Sequence, residues 1–239
     1  DNAAASYTLA GPGSVAVSGP VTVSSGSHVI GASVALNGAL SIAANASLKL
    51  VGPVSGHVTQ LTIGNNGKLD LTSRGVTVDY AGGASPAAAL RDLVAAAYHD
   101  GLWDGKGIAS SAASVASGTT LGIVDSGSAV TVQYTLYGDT DLNGTVNQLD
   151  FNRLVAGLQA AAGTATWQQG DFNYDRVVNA DDFSLFDLGA AIGTLPSPAV
   201  PEPASVLLLA FAPICIRRRA CTARSSSRAP SLRRGHYTR

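Results

Sequence analysis

Methionine is absent from the 239-residue chain, and cysteine occurs only twice, at Cys215 and Cys221. Both thiols fall near the C-terminal end, so no disulfide framework can staple the body. Asp1 is not a translational start; the chain reads as trimmed or processed, and the lack of a leader excludes nothing about its destination. Charged residues make up only 13% and aromatics 6%, against 46% hydrophobic, which excludes a highly charged disordered chain. Glutamate occurs once, as Glu202, beside 15 Asp. Helices draw charge from Glu as readily as from Asp, whereas oxygen-ligand loops and turns favour the short Asp and Asn. Basic residues are scarce outside the tail. Eight Arg crowd residues 217–239, leaving seven basic against 16 acidic groups in the first 216, which excludes a general basic nucleic-acid-binding face.

What the chain has in quantity is Gly, Ala, Ser, Thr and Val, arranged over residues 8–80 as short apolar–x–apolar runs. Val15–Val17, Val21–Val23, Val34–Leu36, Leu40–Ile42, Leu48–Leu50, Leu61–Ile63, Leu69–Leu71 and Val76–Val78 each show the period of a half-buried strand. Simple Gly/Asn turns interrupt them (Asn37-Gly38; Gly64-Asn65-Asn66-Gly67). The expected fold class is mainly β with a small α module. Its body is a parallel β-solenoid, or alternatively an antiparallel β-sandwich. A helix follows, with Ser85 as cap, Pro86 in its first turn, Leu90, Val94 and Tyr98 on one face and Gly101 as its end. A Gly-rich loop around Trp103 and a closing strand over 130–137 complete the body. Residues 1–84 and 85–137 are read as its two parts.

Residues 138–154 and 170–186 form an internal repeat offset by 32. Both copies place Asp or Asn at loop positions 1, 3, 5, 9 and 12, at Asp139, Asp141, Asn143, Asn147 and Asp150, then at Asp171, Asn173, Asp175, Asn179 and Asp182. Short oxygen side chains on alternate residues of a curled loop wrap a hard dication, with the carbonyls of Thr145 and Val177 at position 7 completing the shell. The expectation is two Ca²⁺ ions. The plainer alternative is a pair of Asp/Asn turns capping helices, yet five fixed positions match by chance on the order of 10⁻⁵ per starting point. Arg176 stands where the loop prefers Gly at position 6, so the second site is expected to be the weaker. Helices leave both loops, with Phe151, Leu154, Val155 and Leu158 on one face of the first and Phe183, Phe186 and Ala190 on the second.

Loop plus exit helix, duplicated, with Asp at position 12 and an aromatic after it, resembles the type I dockerin domain over about residues 137–193. The resemblance implies a Ca²⁺-ordered module, 138–193 here, that plugs into a cohesin-like partner. Loop positions 10 and 11 choose partners in that family. Here they are Gln148 and Leu149 in one copy and Ala180 and Asp181 in the other, not the small hydroxylated residues common there. Val200-Pro201-Glu202-Pro203, the apolar segment 204–216 and Arg217-Arg218-Arg219 resemble the PEP-CTERM sorting signal, assigned to 194–220. That resemblance implies export, transient membrane contact through 204–216 and processing by an exosortase. The arginine placement agrees with the positive-inside rule. A helix over 204–216 spans about 20 Å against the ~30 Å of hydrocarbon, too short for a permanent anchor. Residues 221–239 are read as a basic disordered tail. The whole ensemble resembles surface or secreted proteins of planctomycete-like bacteria, with N-terminal halves like autotransporter β-repeats.

No catalytic constellation stands out, and the chain is read as non-enzymatic. His99-Asp100 at a helix end suits a dipole contact better than a base. Trp103 beside Asp104 offers a sugar-stacking platform as an alternative to a core seal. A glycosidase needs two facing carboxyls, and nothing singles out such a pair. The expected function is an exported cell-surface or extracellular structural and interaction protein. The alternatives are a dockerin-bearing polysaccharide-degrading or carbohydrate-binding protein and an adhesin or ice-binding β-protein. For the last, Thr22, Thr62 and Thr77 are too irregular a ladder.

Overall fold

Alternating apolar residues give ten short strands between Tyr7 and Asp70: β1 (Tyr7–Leu9), β2 (Ser14–Val17), β3 (Val21–Val23), β4 (Ser27–Ile30), β5 (Ser33–Leu36), β6 (Ala39–Ile42), β7 (Ser47–Leu50), β8 (Val54–Ser55), β9 (Gln60–Ile63) and β10 (Lys68–Asp70). These come from a computed structural model that describes residues 7–9, 11, 14–55 and 57–195. The chain visits three sheets in rotation: β1, β4, β7 and β10 lie side by side, as do β2, β5 and β8, and β3, β6 and β9. Every one of these pairings is parallel, matching Ser14 with Ser33, Ser27 with Ser47 and Leu40 with Leu61, so each strand pairs with the third strand after it. Alternate side chains therefore stack in register. Val34, Leu36, Leu40, Ile42, Leu48 and Leu50 are all buried, and their burial is the main force holding the three sheets together. The Asn turns stack too: Asn45 and Asn66 share left-handed backbone, and the Asn66 amide donates to Asn45 at 3.3 Å. Leu71 is buried but lies just past the end of β10.

The rotation among the three sheets is interrupted once. β10 pairs next with β12 (Gly107–Ala109), matching Lys68 with Gly107, so residues 71–106 loop out between them. The excursion contains β11 (Gly75–Asp79) and helix α1 (Ala87–Tyr98). β11 meets Val58 through a parallel bridge, and on its other side joins an antiparallel sheet with β14 (Ala129–Leu136) and β13 (Thr119–Asp125). Leu90, Val94, Ala97 and Tyr98 are the buried face of α1. The helix boundaries differ from expectation. Pro86 rather than Ser85 is the N-cap; the Ser85 hydroxyl accepts from the Ala87 amide at 3.2 Å while donating to Asp125. The helix ends at Tyr98 because His99 turns left-handed (φ 42°), and a 3-10 turn runs from His99 to Gly101. The Gly-Lys-Gly loop is there for close approach. A Cβ at Gly107 would lie 2.1 Å from the Leu93 carbonyl oxygen, and one at Gly105 2.2 Å from that of Ala96.

Asp70 clips the ends of the excursion. Its Oδ1 accepts from the amides of Thr72 and Ser111, both at 2.9 Å, and its Oδ2 lies 3.3 Å from Lys49 Nζ. Burial would raise its pKa, but the amides of Ser111 and Thr72, the Ser111 hydroxyl and the Lys49 charge outweigh burial and hold it below the ordinary value. Asp70→Asn is expected to cost about 1–3 kcal/mol at neutral pH, measured by urea unfolding. A depressed folded pKa gives stability that is present above the unfolded pKa and lost as pH falls through the folded one. The gap between wild type and variant should therefore hold from pH 7 to about pH 5 and shrink as the pH falls below the ordinary 3.8.

Beyond β14 the two repeats fold as loop-helix units, with α2 (Gln148–Gly157) and α3 (Ala180–Ala190). Each helix presses a glycine onto the backbone that leads into the other loop. A Cβ at Gly157 would lie 1.8 Å from the Gln169 carbonyl oxygen, and one at Gly189 1.8 Å from that of Tyr137. The helices meet through Phe151, whose ring contacts Phe183 and Phe186 edge-on at 6.2 and 5.6 Å. Leu154 is fully buried, whereas Phe151, Val155 and Leu158 remain 37–47% exposed, so the expected apolar face of α2 is only partly covered. Position 4 of each loop is driven into the body. Leu142 and Trp167 pack over Gly122 of β13, and the Tyr174 hydroxyl donates to the Leu121 carbonyl. Among the described residues no helix is long and apolar enough to cross a membrane. Segment 204–216, the Val200–Pro203 box, Arg217–Arg219 and both cysteines lie outside them.

Candidate metal centre

The first loop begins directly after β14, where Gly138 turns left-handed (φ 90°) and swings Asp139 inward. Asp139 is fully buried and accepts from the amides of Asn143 (3.1 Å) and Gly144 (2.8 Å) and from the Thr135 hydroxyl. Leu142 (φ 62°) and Gly144 (φ 82°) supply the left-handed steps that curl the loop. Asp150, also fully buried, takes the Thr140 amide (3.0 Å) and hydroxyl (2.6 Å) on Oδ1 and the Asn147 amide (3.0 Å) on Oδ2. Asn147 caps α2 by accepting from the Leu149 amide at 2.8 Å, and Asn143 accepts from Thr145 at 2.8 Å. The result is a tight cluster: carboxylate oxygens of Asp139, Asp141 and Asp150 all lie within 4.8 Å of one another. Oxygens bound at 2.3–2.6 Å to one Ca²⁺ can be no more than about 5 Å apart, so the three fit a single ion.

The charge balance of the cluster also favours a cation. Burial pushes the Asp139 carboxyl above the usual carboxylate range; bonds from Thr135, Gly144 and Asn143 pull it down and the Asp150 charge pushes it up again. The only cation paired with the cluster among the described residues is Arg153, 2.9 Å from the outer oxygen of Asp141 and 3.7 Å from Asp150.

The second loop repeats this scheme with differences. Asp171 and Asp182 are buried, and Asp182 accepts from the amides of Phe172 (2.8 Å) and Asn179 (2.9 Å) as Asp150 does from its neighbours. Asn173 accepts from Asp175 (3.0 Å), Asp175 from Val177 (2.8 Å), and Asn179 caps α3 through the Asp181 amide (2.7 Å). Tyr174 (φ 65°) and Arg176 (φ 71°) take the left-handed steps, so Arg176 does sit in the strained position. Asp171, Asp175 and Asp182 do not converge as the first three carboxylates do; among the described residues only the first loop gathers such a group. Asp171 is 1% exposed and its Oδ1 has no hydrogen-bond partner. Burial lifts its pKa to about 6, with Asp182 and Asp175 adding to the rise and Arg91 and the Arg176 amide opposing it. An orphaned buried carboxylate oxygen at loop position 1 is what a missing cation would leave, so this loop also fits the ion, with its three carboxylates not gathered as those of the first loop are.

Several participants had no local signal in the sequence. Arg91 of α1 reaches Asp171, and the Trp167 indole donates to the Asp139 carbonyl at 2.9 Å. Both come from outside the loop they serve. The four candidate partner-contact residues, Gln148, Leu149, Ala180 and Asp181, lie at the starts of the two helices, and all four are exposed. The sugar platform is not borne out: Trp103 is 2% exposed and packs edge-on against Tyr98 at 5.3 Å. His99 pairs with Asp104 at 2.7 Å rather than with the adjacent Asp100, on an exposed surface. Comparison with protein-family models, curated proteins and solved structures found no match.

Proposed function

We propose that the chain is an exported cell-surface or extracellular structural and interaction protein, non-enzymatic, with a calcium-dependent dockerin-like module. The observation that carries this reading is the convergence of Asp139, Asp141 and Asp150 within 4.8 Å in a loop whose spacing recurs at Asp171–Asp182. Asp139, Asp141, Asn143, Asp150 and the Thr145 carbonyl would hold one ion. Asp171, Asn173, Asp175, Asp182 and the Val177 carbonyl would hold the second, with Asn147 and Asn179 contributing as the residues that start each helix. Bound calcium supplies the positive charge that lets buried carboxylates sit side by side. The three rotating parallel sheets support reading the body as a β-solenoid. The partly uncovered apolar face of α2 at Phe151, Val155 and Leu158, with Leu149 exposed at its start, supports a docking face for a cohesin-like or other surface protein. Export, and processing through the Val200–Pro203 box and Arg217–Arg219, rest on the sequence alone.

Extracellular modules bind Ca²⁺ at about 10⁻⁴–10⁻³ M, so the sites would fill only outside the cell. The test is thermal unfolding and calorimetry of the whole chain with Ca²⁺. The module packs on β13 and α1, so an isolated 138–193 fragment would lack part of its core. A site of Kd 10⁻⁴ M should add about 2.7 kcal/mol at 10 mM Ca²⁺, and Asp139→Ala should remove that gain. No heat of binding and an unmoved melting temperature at 10 mM would overturn the reading.

A further inference from the structure

The second loop already contains a cation. Arg91 Nη2 lies 3.4 Å from Asp171 Oδ2 and also donates to the Tyr174 carbonyl, while Nη1 lies 3.0 Å from Asp92. Asp92 in turn takes the Arg176 guanidinium at 2.6 Å, so two positive groups line this edge of the loop. The equivalent carboxylate of the first loop, Asp139, is bonded by a hydroxyl and two amides, and the nearest arginine contacts Asp141 and Asp150 instead. The Arg91–Asp171 contact is not that of a finished structural ion pair. At 3.4 Å it exceeds the 2.7–2.9 Å of a charge-assisted bond, and it leaves both Asp171 Oδ1 and Arg91 Nε buried without partners. Arg91 and Arg176 also line a cleft of about 500 Å³ between the start of α1 and residues 163–168, which gives the guanidinium room to withdraw.

We infer that Arg91 sets the difference in calcium affinity between the two loops. Its guanidinium occupies Asp171 in the ion's absence and repels a divalent cation in its presence. The inference rests on the calcium reading above. A single positive charge about 6 Å from a divalent ion, even at the dielectric of water, weakens binding by about tenfold.

Calorimetric titration of the full chain with Ca²⁺ tests this in wild type, Arg91→Met, Arg91→Gln and Arg91→Lys. Wild type should bind in two phases, the weaker of which Asp171→Ala deletes. Arg91→Met should tighten that phase about tenfold and leave the stronger one unmoved. Arg91→Gln keeps a polar amide without the charge and should behave as Arg91→Met does, even if the Met variant folds poorly. Arg91→Lys should keep the phase weak. A purely structural arginine would give the opposite sign, since its removal would loosen the loop and weaken binding. Two phases with the weaker unchanged or weakened in both neutral variants would overturn the role of Arg91 alone. Absence of any binding in wild type would overturn the calcium reading and this inference with it.

Discussion

Gly189→Ala is expected to lower stability by about 3 kcal/mol, with Gly157→Ala close behind, both measured by urea unfolding in the presence of EDTA. The added methyl would sit 1.8 Å from a backbone carbonyl oxygen in each case, and that oxygen belongs to the segment leading into a loop. Backbone cannot swing aside as a side chain does, so the cost lies at the top of the usual overpacking range of about 1–3 kcal/mol. The two positions are equivalent across the repeat, so each unit is held by the other. Equal losses would support that reciprocity. A loss below about 1 kcal/mol at both would show that the helices ride more loosely than described.

The second large effect separates two roles within one carboxylate cluster. Asp150 is fully buried and accepts three hydrogen bonds, from the Thr140 amide and hydroxyl and from the Asn147 amide that begins α2. Asp150→Ala leaves those donors unpaired in the interior and should cost about 3 kcal/mol without any metal. Asp141 is partly exposed, and its contacts are the Asn143 amide at 3.3 Å and Arg153. Asp141→Ala should therefore change metal-free stability by less than about 0.5 kcal/mol while lowering calcium affinity at least tenfold. Paired EDTA and Ca²⁺ melts of the two variants would read this out. Equal behaviour in both conditions would mean that the cluster is a capping device and nothing more.

The strands legible in the sequence are those with one wet face. Val34–Leu36 and Leu40–Ile42 alternate because every second side chain is buried and the ones between are only partly so. β12 is buried on both faces, as are Thr119–Ile123 of β13, so Gly107–Ala109 carries no period-2 signal and β13 shows it only at Leu121 and Ile123. Parallel pairing between strands three apart in the chain leaves no local trace either, so pattern alone does not tell it from antiparallel pairing. The loops are legible because five oxygen positions crowd into one short stretch. Arg91 and Trp167 are not, because only the packing of α1 and β13 against the repeats brings them to Asp171 and Asp139. The same packing makes anchors in the left-handed conformation of Leu142 and Tyr174, which look like loop filler in the sequence.

The first loop is closed from a distance: the Val146 amide donates to the Gly193 carbonyl and the Leu195 amide to that of Gly144, both at 2.9 Å. Tension applied to the chain beyond residue 195 therefore loads these two bonds before it reaches either helix. The segment they hold lies between Asn143 and Asn147, in the middle of the candidate ligand residues. A pull on the C-terminal side would reach the three-carboxylate loop before α3, so this loop is the first element of the described chain to feel it.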